Sequence, residues 1–256
     1  MNNIAPIAEG LDPTGPTPLR AMTGLTAPET LVFKAIHAAI VEQRLLPGTR
    51  LTEEELAAIY ATSRMRIRRV LLALAHEGVI ALPPGRGAQV ACPTAEEARA
   101  VFEARRLIEA GLIASRTTTL DEGVVHRLRT CRAAETAAAR AHDRGAMIGQ
   151  SGAFHIELAR GLGNPVMADI IANLVARSSL IIALFQRDGA VCCRADDHDR
   201  LIETLSGPRP AAAAAMMRAH LASIEAGLEM ATKPAPGGDL RAILGGRRGA
   251  EPVRDA

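Results

Sequence analysis

The stretch Ser63-Arg64-Met65-Arg66-Ile67-Arg68-Arg69-Val70-Leu71-Leu72-Ala73-Leu74 decides how this chain is read. Ile67, Val70, Leu71 and Leu74 recur at i, i+3, i+4 and i+7, the stripe of an amphipathic helix. That spacing turns Met65, Arg66, Arg68 and Arg69 toward its flanks and outer face. Ser63 supplies a hydroxyl for the N-cap. Four guanidiniums with no acid among them, on the first turns of a helix, suit a double-stranded nucleic acid. The planar fork of arginine matches two acceptors of guanine or two phosphate oxygens, and the positive end of the helix macrodipole adds to the attraction. A basic run by itself equally marks a solvated face, so the neighbouring sequence must decide.

Those neighbours form a pattern. A helix is expected from about Pro28 to Gln43, with Val32, Ile36, Ala39 and Ile40 inward, and Pro47-Gly48 turns the chain after it. Thr52-x-x-Glu55 reads as a capping box opening a short helix with Leu56, Ile59 and Tyr60 on its apolar face. Ala61-Thr62 then leads into the Arg-rich helix, which stops before Gly78: helix, turn, helix. Two short apolar strands follow, Val79 to Leu82 and Ala88 to Ala91, around Pro83-Pro84-Gly85-Arg86-Gly87. Gly85 and Gly87 let the backbone press into a groove, and Arg86 between them suits a minor groove or a phosphate. An ordinary surface hairpin has the same composition; its position directly after the helix-turn-helix favours a two-stranded wing. The expected unit is a winged helix-turn-helix over residues 28–93.

The whole-chain balance limits the alternatives. A chain of 256 residues has room for two modest domains. With 48% hydrophobic residues and a formal charge of only +2, it is neither a disordered polyelectrolyte nor a protein that binds nucleic acid by bulk charge, so any such affinity is local. There is no Trp and one Tyr, which leaves no stacking platform for single strands, and the abundance of Ala and Leu favours a mainly α protein. No apolar run is read as a membrane span, and the first twenty residues lack the order of a signal peptide, so a cytoplasmic location is expected. Cys92, Cys131, Cys192 and Cys193 contain no CxxC pair and suit a reducing compartment. Residues 1–27, rich in Pro and Gly, read as a flexible arm. Thr94-x-x-Glu97 opens a second helical region over 94–232, an antiparallel bundle of about six helices, and 233–256 reads as a flexible tail.

Three histidines of the second region, His155, His198 and His220, fall on separate expected helices. Facing helices of a bundle can bring side chains to one point, and imidazole suits zinc or nickel. Taken alone, they read as well as unrelated core or surface residues.

The chain resembles the GntR family of bacterial transcription regulators, in the FadR-type branch that joins a winged helix-turn-helix to an all-α effector-binding domain. The likeness rests on Leu46-Pro47-Gly48-Thr49-Arg50-Leu51, Glu55-Leu56-Ala57, Ser63-Arg64-x-x-Ile67-Arg68, Leu74-Ala75-x-Glu77-Gly78 and Gly85-Arg86-Gly87-Ala88-x-Val90. The resemblance implies DNA contacts by Arg50, Arg64 and Arg68 and entry of the Gly85 to Gly87 turn into the minor groove. Met65 and Arg66 replace the family's usual Thr or Ser and Pro, and Arg69 a frequent Glu, so the operator sequence can differ. With Ser63 they complete the expected DNA-contacting set.

The resemblance also implies a metal held by one Asp and three His, the latter matching His155, His198 and His220. Ser151 stands where that Asp is expected. A hydroxyl is a poorer ligand than a carboxylate and removes a negative charge. Cys192 or Cys193 are further donors, although small buried cysteines serve as well for packing. Arg105 matches an arginine that pairs with a ligand carboxylate; by its spacing alone it reads as an i, i+4 partner of Glu109. Arg177, on an apolar helix, is a second cation that could face inward. The expectation is a homodimeric, ligand-responsive regulator, a repressor by preference, that binds a palindromic operator and answers to a small carboxylate-type metabolite. The rival is a metal-dependent phosphohydrolase of the HD type, suggested by His198-Asp199 with His155, for which Asp239 is the late candidate for the further Asp.

Overall fold

Hydroxyl caps start the helices of the N-terminal unit. In a computed structural model of the chain, described for residues 24–186, 196–230 and 240–245, α1 (Ala27–Val41) leads to strand β1 (Arg50–Leu51), α2 (Glu53–Ile59) and α3 (Arg64–His76). Thr52 Oγ1 accepts from Glu55 N and Ser63 Oγ from Arg66 N, each satisfying one orphan amide of the first turn. The α3 stripe is buried as its spacing requires: Ile67, Val70, Leu71 and Leu74 pack with Phe33, Ile36 and Ile40 of α1 and Leu56 of α2.

The wing has one strand more than expected. β2 (Ile80–Ala81) and β3 (Ala88–Val90) form the hairpin, and β1 adds to the other edge of β3, giving an antiparallel sheet of order β1-β3-β2. Arg50 lies opposite Gln89 and Ile80 opposite Val90. Two residues carry no alternation from which a strand could be read, so β1 is visible only through its partner.

The second unit consists of α4 (Ala95–Ala114), α5 (Glu122–Arg140), α6 (Arg144–Gly161), α7 (Pro165–Phe185), α8 (Asp197–Leu205) and α9 (Pro210–Ala226). Thr94 and Glu97 close the expected capping box, each side chain taking the other's backbone amide. Phe102, Ile113, Leu128, Phe154, Leu201, Met217 and Leu221 fill its core.

Helix α7 corrects the reading that no apolar run reaches membrane length. Its 21 residues are long and apolar enough to cross one, but 67% of its most apolar window is buried against other helices. It is the helix both units share. Ala176 and Leu180 belong to the N-terminal core, whereas Leu174, Ile181 and Ile182 belong to the bundle. Burying each such leucine or isoleucine contributes about 1.5–3 kcal/mol relative to exposure. Polar contacts fasten the same seam. Asn173 Nδ2 donates to the Glu77 carbonyl at 2.7 Å and to its carboxylate at 2.6 Å, holding the C-terminal end of α3. Burial raises the pKa of Glu77. At the far end of α1, the Glu42 carbonyl oxygen presses on Gly145 at the start of α6, closer than any side chain would permit.

Residues 1–23, most of the expected arm, lie outside the described residues. The expected loose tail needs correcting over part of its length. Residues 240–245 form a short helix, α10, whose Leu240 is buried in the N-terminal core, with Arg44 Nη1 donating to the Ile243 carbonyl.

Candidate DNA-reading face and metal centre

The N-terminal end of α3 and the wing tip present the basic residues. Arg64, Met65, Arg66 and Arg68 are exposed, as are Ser63, Arg50, Gly85, Arg86 and Gly87. Both glycines take positive φ, 71° and 72°, a left-handed backbone that makes the sharp tip and favours glycine. Two arginines share one acid that the sequence reading did not connect to them. Arg68 forks onto Glu53 through Nε at 2.7 Å and Nη2 at 3.1 Å, and Arg64 Nε lies 3.9 Å from the same carboxylate. The hydrogen bond from Arg68 holds the Glu53 carboxyl below its usual range. These side chains stay more than 60% exposed, so Glu53 aims them without hiding them. Arg69 is exposed as well and has a second set of contacts. It lies 3.2 Å from the buried carboxylate of Glu29 and donates to the Gly24 carbonyl, tying α3 to the start of α1. The amide of Thr26 is the main cause of the depressed pKa of Glu29, with Arg69 adding to it.

In the bundle, His155 of α6, His198 of α8 and His220 of α9 meet, with one ligand atom of each within 4.8 Å of the others. All three are buried. Each Nδ1 faces a carboxylate: His155 on Glu109 at 2.6 Å, His198 on Glu135 at 2.9 Å and His220 on Asp197 at 3.2 Å. A carboxylate accepts, so each Nδ1 carries a proton, and in a neutral ring Nε2 is then the nitrogen left to bind. All three Nε2 atoms are buried and have no hydrogen-bond partner among the described residues. Carboxylates behind inward-facing imidazoles are the arrangement that orients ligands toward a metal, so these residues fit a divalent ion. Burial holds His155 neutral, its pKa down to about 3. Burial opposes the charge on Glu109, but Arg105 and His155 outweigh it and keep the carboxyl ionised.

Beside His155 opens a narrow cleft of about 20 Å³, lined by Arg105, Ser151, Gly152, Val175, Ser178 and Ser179 among others. Arg105 faces inward and also pairs with Glu109, so its two readings hold together. Nε donates to Glu109 at 2.7 Å and Nη1 to Ser178 Oγ at 2.9 Å. Its Nη2 is buried with no partner among the described residues. Arg177 does not line this cleft. Its guanidinium packs 3.6 Å from where a Cβ on Gly78 would stand, at the seam between the units. Cys192, Cys193 and Asp239 lie outside the described residues. The hydrolase alternative loses its acid, since Asp199 turns to Arg132 at 3.0 Å with its side chain half exposed.

The sequence reading missed Glu135 and Asp197 and saw Glu109 only as a partner of Arg105. A signal existed. Arg105 and Glu109 share the inward face of α4 with Val101, Phe102 and Ile113, and Glu135 shares that of α5 with Leu128 and Ala138. Charged residues at core positions need buried partners.

Comparison with known proteins agrees with both halves. The family described as bacterial regulatory proteins, gntR family, matches residues 29–90, and the FCD domain, the FadR C-terminal-like effector domain, matches residues 100–223. A Streptomyces ambofaciens protein, described as an uncharacterised HTH-type transcriptional regulator in an unstable DNA locus, is 33% identical over 99 residues. That match takes in 38% of this chain and 42% of the relative's length. A solved structure from Rhodococcus sp. RHA1, described as a transcriptional regulator GntR, superposes with a TM-score of 0.70 at 21% identity, over 78% of this chain and 97% of that one. McbR/YncC of E. coli superposes with a TM-score of 0.61 at 18% identity, over 78% and 94%. Both structures share the fold. The matched families are of regulators rather than enzymes.

Proposed function

We propose, on the premise that this chain belongs to the GntR family of transcriptional regulators and carries an FCD effector domain, that it is a cytoplasmic, homodimeric repressor of a palindromic operator, relieved by a small carboxylate. The observation that carries the ligand reading is Arg105, a buried cation with one N–H pair unanswered at a cleft shared with His155. Such a group is costly to bury unless something arrives to meet it, and a carboxylate forms the strongest hydrogen bonds with guanidinium. Zinc or nickel on His155, His198 and His220 would add a Lewis-acidic centre at the same place.

Helix α7 gives the coupling a physical route. Val175, Ser178 and Ser179 line the cleft, while Asn173, Ala176 and Leu180 hold the N-terminal unit. A ligand that resettles α7 therefore acts on the Glu77 end of α3. Couplings of about 1–3 kcal/mol would change operator affinity roughly 5- to 150-fold. Arg64, Met65, Arg66 and Arg68, capped by Ser63, would read base edges, with Arg50 and the Gly85-Arg86-Gly87 tip on the backbone and minor groove. Arg69 is assigned to holding α3 in place. Twofold pairing sets two heads about one helical turn of DNA apart, hence the palindrome.

Selection of binding sites from random duplexes, followed by fluorescence anisotropy across salt concentrations and with a panel of small carboxylates, tests the proposal. An inverted repeat, a steep salt dependence and release by a carboxylate are expected. A site without twofold symmetry, a flat salt response or indifference to every carboxylate refutes the corresponding part.

A further inference from the structure

We infer that the C-terminal segment is a strap through which the effector bundle grips the DNA-reading head: α10, rooted on α9, docks on α1 and α2 and carries changes at the cleft to the head. Its part in regulation rests on the reading of the cleft as a ligand site. The root is well defined. Past the end of α9, Leu228 forms an antiparallel bridge with Gln186, and the amide of Glu229 donates to the Phe185 carbonyl at 2.7 Å, so the exit of α9 is pinned to the end of α7. Ile224 and Ile182, one turn before that junction on their own helices, both line the cleft. From Met230 the chain can span at most about 36 Å to Leu240, and so short a tether keeps α10 at an effective concentration on the order of millimolar beside the head.

The seat fits this segment. Leu240, Ile243 and Leu244 recur at i, i+3 and i+4; Leu240 is buried in the head core, Ile243 and Leu244 pack against that core partly covered, and Arg241 is exposed. The helix lies on both α1 and α2. Arg44 marks the join: Nε donates to Glu42 at 2.7 Å and Nη1 to the Ile243 carbonyl at 3.5 Å, while its charge reaches Tyr60 at the end of α2. The carbonyl of Glu42 in turn presses on Gly145, so one junction gathers α1, α2, α6 and α10. Isolated helices shorter than about 12–15 residues are marginal in water, and α10 has six. It therefore forms only while docked, a two-state element held by few contacts, and elements of that kind are the ones that switch. Its seat matters to the reading face because α2 carries Glu53, which aims Arg68 and Arg64.

Hydrogen exchange of the full chain, followed by mass spectrometry without DNA or ligand, tests the strap. Leu240→Asp should speed exchange in α2 and the C-terminal half of α1 by about 10- to 100-fold, the equivalent of burying one leucine, and leave α4 and α5 unchanged. A chain ending at residue 230 should match it, whereas Leu240→Met and a chain ending at residue 245 should match the wild type. Unchanged protection of α2 in both undocked chains overturns the inference. So does loss of protection throughout the head, α3 included, which would make α10 a plain part of its core, or loss in the chain ending at residue 245, which would place the hold beyond α10. Anisotropy with the selected duplex and added acetate tests the regulation: the change in affinity that acetate causes in the wild type, about 5- to 150-fold, should largely vanish in Leu240→Asp. Release of Leu240→Asp by acetate as fully as the wild type refutes the regulatory part. A wild type that acetate leaves bound to DNA is a different failure, because it removes the cleft as a carboxylate site and leaves the exchange result in place.

Discussion

Gly145→Ala puts the seam between the two units to a test in which the sign of the effect decides. Gly145 is the second residue of α6, and a Cβ built there would fall well inside van der Waals contact with the carbonyl oxygen of Glu42 and 3.1 Å from its carbon. The obstacle is backbone at the end of α1 and cannot swing aside as a side chain would, so the two helices must part by on the order of an ångström. Overpacking of this kind costs about 1–3 kcal/mol. Alanine returns about 0.5–1 kcal/mol through its better helix propensity. The net expectation is a loss of up to about 2 kcal/mol. At about 2–4 °C per kcal/mol for a chain of this size, the melting temperature should fall by several degrees in differential scanning calorimetry. If α1 and α6 did not touch here, only the propensity gain would remain. A melting temperature raised by a degree or more would therefore refute the close packing of α6 on α1.

Three further outcomes are expected. Glu109→Gln removes the carboxylate behind His155 Nδ1 and should weaken Zn²⁺ binding about 10- to 100-fold in dialysis, whereas unchanged affinity would deny Glu109 an orienting role. Arg68→Ala should cost about 1–3 kcal/mol of operator affinity and relax base preference, while Arg86→Ala should weaken all sequences alike and lower the salt slope by about one; wild-type behaviour of both in anisotropy titrations would remove the reading face. Burial holds His37 at a pKa of about 4 against 6.5 for the free side chain, so below pH 6.5 the unfolded chain takes up a proton that the folded chain refuses. That contribution is complete above pH 6.5 and is lost as pH falls toward 4, about 3 kcal/mol over the window. His37→Leu should flatten the pH dependence of urea unfolding there, and a slope equal to that of the wild type would contradict it.

Local chemistry explains what could be read without coordinates. Ser63, Thr52 and Thr94 announce helix starts through hydroxyls acting three residues away, and the stripe through Ile67, Val70, Leu71 and Leu74 is one helix face written in sequence. The separate helices of His155, His198 and His220 were legible too, but not their convergence, which depends on how α6, α8 and α9 pack. The partners that sequence did not reveal are those supplied by another element. Glu29 for Arg69, Glu53 for Arg68 and Glu135 for His198 all arrive through tertiary structure. Arg177 shows the opposite limit. An apolar helix shared by two cores has two inward faces, and the one Arg177 occupies looks toward Gly78 rather than the cleft.

The same sharing bears on anyone who would graft this head onto a foreign effector domain to build a biosensor. A cut in the loop after the wing looks natural, yet it would strip the head of Ala176, Leu180 and the amide of Asn173, and ending the chain at residue 232 would take Leu240 as well. A chimera that keeps residues 173–180 facing the donor head, and restores the C-terminal turn, should stay folded where a simple swap would leave greasy surface bare to water.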